Sequence, residues 1–330
     1  MATKSAVISL ALLSTGSLWW MTYAPERRGL THHQQHHGAR ELVSPLETPE
    51  PEDPAEVQLG RRLFAEKRLS GGQTVSCQSC HDLQAGGVDH LVRSVGDHGA
   101  LGNINAPTVY NAYLNSSLFW DGRAETLEEQ AGAPITNPKE MNAGWSMVLA
   151  RLNADASYHS AFQKVYGTPP SREGVVAALA AYERTLITLD SPFDRYLRGH
   201  RQAISAEALR GYEKFRSYGC ISCHQGANVG GNMYQKFGVM GDYFQDRGHV
   251  TSVDWGRFNV THKEEDRYVF RVPSLRNVAR TAPYFHDGSA TNLPTAIRVM
   301  AHYQLGRHLS QVEVNELAAF LNSLTGVARP

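Results

Sequence analysis

The chain has 330 residues, in which 32 Lys and Arg are matched by 32 Asp and Glu for a formal net charge of zero. That balance excludes the basic surface of a nucleic-acid binder, and a hydrophobic share of 42% excludes a disordered chain. The length suits about two globular domains.

At the N-terminus, Lys4 precedes an apolar run from Ala6 to about Ala24, so residues 1–24 are expected to be a signal peptide or an uncleaved membrane anchor. Trp19, Trp20 and Tyr23 suit the interface of a span, and Pro25 is a poor neighbour for cleavage after Ala24. Arg27 and Arg28, on the far side, oppose the usual orientation bias. Residues 25–55 follow, with His32, His33, His36 and His37, then Pro45, Pro49, Pro51 and Pro54. Their composition predicts a solvated His- and Pro-rich linker.

Beyond residue 55 the dominant pattern is the amphipathic helix. Val57, Leu59, Leu63 and Phe64 form one stripe, Val175, Val176, Leu179, Tyr182 and Leu186 another, and Val312, Leu317, Phe320 and Leu321 a third. Long alternating strand patterns are absent, and Gly- and Pro-rich connections separate the helices. The predicted fold class is mainly α.

Cys77-Gln78-Ser79-Cys80-His81 and Cys220-Ile221-Ser222-Cys223-His224 together use all four cysteines. Cysteines three apart can share one face of a helical turn, where their thiols add to the two vinyl groups of one porphyrin. The adjoining histidine then ligates the iron. A zinc site would want further ligands nearby, a redox pair does not require the trailing histidine, and a disulfide framework leaves it unexplained twice. Two covalently bound haem c groups are the expected cofactors, and because they are attached outside the cytoplasmic membrane the expected location is the periplasm.

A weak internal repeat accompanies the two motifs. Gly60-x-x-x-Phe64 stands upstream of the first and Gly211-x-x-x-Phe215 upstream of the second, each read as a helix in which glycine permits close approach and phenylalanine covers the porphyrin. Pro192 stops the helix before Asp190-Ser191, which predicts one haem domain over 56–190 and another over 191–330, both cytochrome-c-like.

Leu59-Gly60-Arg61-Arg62-Leu63-Phe64, Gly86-Gly87-Val88-Asp89, Asn105-Ala106-Pro107-Thr108, Phe119-Trp120-Asp121-Gly122-Arg123-Ala124, Tyr268-Val269-Phe270-Arg271 and Thr281-Ala282-Pro283-Tyr284-Phe285-His286 come in an order that resembles the bacterial di-haem cytochrome c peroxidases. The resemblance runs from about residue 56 to the C-terminus. It implies a low-potential peroxidatic haem in the N-terminal domain and a high-potential electron-transfer haem in the C-terminal one. The implied reaction reduces hydrogen peroxide to water with electrons from a small periplasmic donor, a cytochrome c or a cupredoxin, in a homodimer.

The same resemblance implies the roles of individual residues. Met300 would be the distal ligand of the His224 haem, with His302 and Tyr303 as near alternatives; methionine opposite histidine raises the potential. A tyrosine ligand would instead suit the related maturation enzyme of methylamine dehydrogenase, a protein-modifying oxidase. For the His81 haem a displaceable distal histidine is expected at His98, one residue displaced from the commonest family pattern, with His90 or a permanently open site as alternatives. Glu140 would be the acid–base group, Gln130 its hydrogen-bonding neighbour, and Trp120 the bridge between the haems. Asn105, Thr281 and Pro283 would hold a calcium ion through oxygen atoms, and His286 would contact a propionate or support a ligand. A non-enzymatic di-haem electron carrier is the reading from another class.

Overall fold

The computed structural model of the chain describes residues 42–328. The expected signal or anchor and the histidine tract lie outside the described residues. Among those described, no helix is long and apolar enough to cross a membrane.

The helices are α1 (Pro54–Phe64), α2 (Cys77–Cys80), α3 (Leu127–Thr136), α4 (Trp145–Asn153), α5 (Ala156–Tyr166), α6 (Arg172–Thr185), α7 (Pro192–Leu197), α8 (Ala206–Ser217), α9 (Tyr243–Arg247), α10 (Phe258–Thr261), α11 (Leu293–Leu305) and α12 (Gln311–Asn322). Strands are short. β1 (Thr188–Leu189) pairs antiparallel with β4 (Val327–Ala328), and β2 (Tyr234–Lys236) with β3 (Val269–Arg271). The mainly helical class is as the sequence predicts.

Local chemistry sets the helix ends. Asp53 caps α1 by accepting from the Ala55 N–H at 2.7 Å, and Pro54 occupies the first turn, where its missing N–H costs nothing. Ser205 caps α8 through the Ala208 N–H at 3.0 Å, and Ser310 and Glu313 cap α12 reciprocally.

Two cores result. One joins Leu59, Leu63, Phe64, Phe162, Leu179 and Leu186 across α1, α5 and α6; the other joins Phe193, Tyr212, Phe215, Val314, Leu317 and Phe320 across α7, α8 and α12. Each is built on one close helix crossing. A β-carbon on Gly60 would overlap the Ala178 carbonyl, and one on Gly211 the Glu316 carbonyl, so α1 lies directly against α6 and α8 directly against α12. Phe64 then meets Tyr182 edge-on at 5.4 Å, and Phe215 meets Phe320 at 4.9 Å. The repeated glycine therefore serves a helix crossing. Of the two phenylalanines, Phe215 also lines the cavity beside His224.

Two sequence expectations need correction. Val312 is 64% exposed, while Val314 is fully buried with Leu317 and Leu321. Residue 312 lies five positions before Leu317, about 140° around a helix, so it points away from the core. The end of the expected linker is also packed. Val43 and Leu46 are buried, Val43 bridges to Gly226, and Arg276 donates to the Ser44 carbonyl at 3.0 Å while ion-paired to buried Asp194 at 2.7 Å. Burial of these two apolar side chains outweighs the proline-rich composition there.

Candidate functional site

The first Cys-x-x-Cys-His lies on a single helical turn. Cys77 opens α2, Cys80 closes it, and His81 follows as the C-cap, its N–H donating to the Cys77 carbonyl. The His81 ring is oriented by Nδ1 against the Gly87 carbonyl at 3.2 Å, which leaves Nε2 as the nitrogen for a metal. The second motif forms a 3-10 turn over Cys220–Ser222. All four thiols are free, which removes a disulfide framework. Burial pushes the Cys77 thiol up to about 12 and Cys220 up to about 11; it brings His224 down to about 4, so that the imidazole is neutral, as a metal ligand must be.

His224 opens onto a cavity of about 500 Å³ walled by Phe215, Ile297, Leu317 and Leu321 and reached by Cys220, Cys223 and Met300. One observation fits it to a haem. Arg271, a buried residue on the cavity wall, is bonded among the described residues to neutral oxygens, the Phe119 carbonyl and Asn115 Oδ1, both at 3.2 Å. Burial depresses its guanidinium to about 10. A cation so placed lacks the anionic partner that a porphyrin carboxylate supplies.

Met300, on α11, shares this cavity with His224. The near alternatives do not line it. The Tyr303 hydroxyl donates to Asp246 at 3.0 Å, and His302 stacks near His308 with ring centroids 4.8 Å apart.

The same cavity extends to Asn105, Thr281, Pro283, Trp120 and His286. The Asn105 amide nitrogen is committed to the Leu91 carbonyl at 2.8 Å, so its remaining side-chain donor to a cation is Oδ1. With the carbonyls of Thr281 and Pro283 it would make an all-oxygen set of the kind calcium prefers.

A second, smaller cavity of about 160 Å³ shares Trp120 with the first and is walled by Glu140, Asp121, Arg123, Asn137 and Lys139. Burial raises the Glu140 carboxyl above the ordinary glutamate value, and the Arg123 charge and an Asn137 hydrogen bond to Oε1 at 2.7 Å only partly offset it. Glu140 and Trp120 are thus brought together. Gln130, half-buried on the first turn of α3, is not among the residues lining this cavity.

His98 sits at φ +53° in a short turn, its side chain 69% exposed and its Nε2 3.4 Å from Asp97. His90 is exposed and engaged through Nδ1 with the Ala282 carbonyl at 2.8 Å. His286 is buried and bonded through Nε2 to Asp254 at 2.7 Å. Arg123, Asn137, Asp254, Arg247 and Arg271 were not singled out by the sequence. Arg123 and Arg271 fall inside the motifs that carry the resemblance, which is the signal that could have found them.

A profile of the di-haem cytochrome c peroxidases matches residues 54–202. The chain is 45% identical over 291 residues to cytochrome c peroxidase Ccp of Escherichia coli (strain K12), covering 88% of this chain but 62% of that relative, so it spans less than two thirds of that protein's length. It is 42% identical to cytochrome c551 peroxidase of Nitrosomonas europaea, covering 87% of this chain and 85% of the relative. Among solved structures it is similar to a MauG-like protein associated with microbial copper homeostasis, with a TM-score of 0.75 at 30% identity over 88% of this chain and 95% of that one.

Proposed function

The chain belongs to the di-haem cytochrome c peroxidase family, and on that premise we propose that it reduces hydrogen peroxide to water with electrons from a small periplasmic donor, a cytochrome c or a cupredoxin. Cys77, Cys80 and His81 would hold one haem c within residues 56–190, and Cys220, Cys223, His224 and Met300 the other within 191–330. Bound there, the two haems would pass on the two electrons that the donor provides and the reaction consumes. Asn105, Thr281 and Pro283 would hold a calcium ion. A homodimer, a periplasmic location and an N-terminal anchor or signal complete the reading.

The observation that carries it is the pairing of Glu140 with Trp120 around a cavity small enough for peroxide. Asn137 fixes Glu140 Oε1, so Oε2 is the oxygen free to take a proton from one peroxide oxygen and return it to the other, which leaves as water. A carboxyl raised by burial is suited to both halves of that exchange. Arg123, ion-paired to Asp121 at 3.0 Å, and Lys139 balance the acids at the wall. Trp120, shared by this cavity and the larger one, is the group past which electrons would cross.

The test is peroxide consumption by the calcium-loaded di-haem protein with an artificial donor, fully oxidised and half-reduced. Rapid turnover only after half-reduction supports a peroxidase gated by His98, and rapid turnover in both states a peroxidase with an open site. Slow or absent turnover in both states overturns the reading.

A further inference from the structure

Trp120 sits on a loop of the first half of the chain, yet its polar contacts run into the second. Its indole N–H donates to the Asn105 carbonyl at 2.9 Å, and the Asn105 N–H donates to the His286 carbonyl at 2.8 Å. The His286 ring stands edge-on to the indole at 6.4 Å and stacks on Phe270 at 4.5 Å. Its Nε2 is bonded to Asp254 Oδ1, and both side chains are 2% exposed. The other Asp254 oxygen takes the Arg247 guanidinium at 2.9 Å and the Thr251 N–H at 2.7 Å.

Asp254, His286 and Asp287 lie close enough together to share a metal ion. The Arg247 guanidinium already bridges the two carboxylates, so the cluster has its cation. Hydrogen bonds from His286 and Arg247 outweigh the cost of burial and hold the Asp254 carboxyl well below the usual range, so it is a fixed anion.

We infer that His286, clamped by the Asp254–Arg247 ion pair, is a positioning residue for Trp120. Its ring sets the tilt of the indole and its carbonyl sets, through Asn105, the direction of the indole N–H. Neither Asp254 nor Arg247 lines either cavity, so their side chains reach the indole by way of His286. A geometry fixed from both ends matters for electron transfer, because a shift of about 1 Å in a relay group is expensive in rate. The inference rests on the reading of Trp120 as the path between the haems.

The experiment uses the calcium-loaded di-haem protein and two readouts besides turnover: the rate of electron transfer between the haems after pulse reduction of the His224 haem, and the indole N–H band in ultraviolet resonance Raman spectra, isolated by subtracting Trp120→Phe. Asp254→Asn is expected to shift that band and slow the transfer about tenfold or more. Both haem absorption spectra and the donor's reduction of the His224 haem stay as in the wild type. His286→Gln, which can still bond Asp254 but lacks the ring, gives the same pair of changes if Asp254→Asn does not fold. An unshifted band with transfer at the wild-type rate in the folded variant overturns the inference. Wild-type transfer in Trp120→Phe itself overturns instead the electron path on which it rests.

Discussion

The backbone N–H of Asp97 donates to the Glu140 carbonyl at 2.6 Å, tying the turn that carries His98 to the residue proposed to handle the peroxide proton. The Asp97 carboxylate in turn accepts from the Gly72 N–H at 2.8 Å and from Thr74 Oγ1 at 2.6 Å. The neighbouring His98 is largely exposed, so its removal leaves this anchorage intact. His98→Ala is expected to make the fully oxidised protein turn over peroxide as fast as the half-reduced one. Stopped-flow peroxide consumption in the two redox states checks this, and a variant that still needs half-reduction removes His98 as the gate.

Glu140→Gln keeps the shape of the small cavity and the contact with Asn137 but cannot exchange a proton. Turnover should fall about a hundredfold or more while both haem spectra are kept. Unchanged turnover would take Glu140 out of the mechanism.

Arg123 lowers the Glu140 carboxyl from where burial alone would hold it. Removing that positive charge makes the carboxylate harder to form, so the base becomes available only at higher pH. Arg123→Gln should therefore move the acidic limb of the kcat/KM profile to higher pH than in the wild type, and a limb that stays put or moves down contradicts the assignment.

Glu183, buried on α6, has its carboxyl raised to about 8 from the ordinary 4.5, first by burial and then by Glu128, against the pull of Arg184. The folded chain keeps a proton that the unfolded chain has released, so this group's contribution to stability is present below about 4.5 and is lost as the pH rises through about 8. Its slope is at most about 1.4 kcal/mol per pH unit. Glu183→Gln should flatten the fall of the thermal midpoint between pH 5 and 8; an unaltered slope places the effect elsewhere.

Gly60→Ala and Gly211→Ala should each destabilise by about 3 kcal/mol, because the added methyl group meets a helix carbonyl that cannot turn aside. Denaturant melts of the holoprotein measure both. Two equal losses fit one crossing used twice, and a neutral Gly211→Ala would show that α8 and α12 can part cheaply.

The features legible in the sequence are those whose chemistry is local. Cys77, Cys80 and His81 are adjacent in the chain because one helical turn must present them together, and the stripes of α1 and α6 repeat with the helical period. Glu140 and Trp120 were reached through resemblance, since an isolated acid and an isolated aromatic carry no period. Asp254 and Arg247 could not be read at all. Their meaning depends on His286, more than thirty residues beyond Asp254, and no local pattern announces that meeting. Val43 and Leu46 were hidden by the prolines around them, and Val312 by a hydrophobic count that ignored its angle on the helix.

The hydrogen bond from the Trp120 indole to a peptide carbonyl also limits what that ring can become. A carbonyl oxygen is too weak a base to take the indole proton, so a Trp120 that gives up an electron keeps its N–H and carries a full positive charge. Such a cation, walled by Phe270 and the fixed His286 ring, has no nearby deprotonated form in which to rest, which suits a group that passes an electron on at once rather than one that stores the loss.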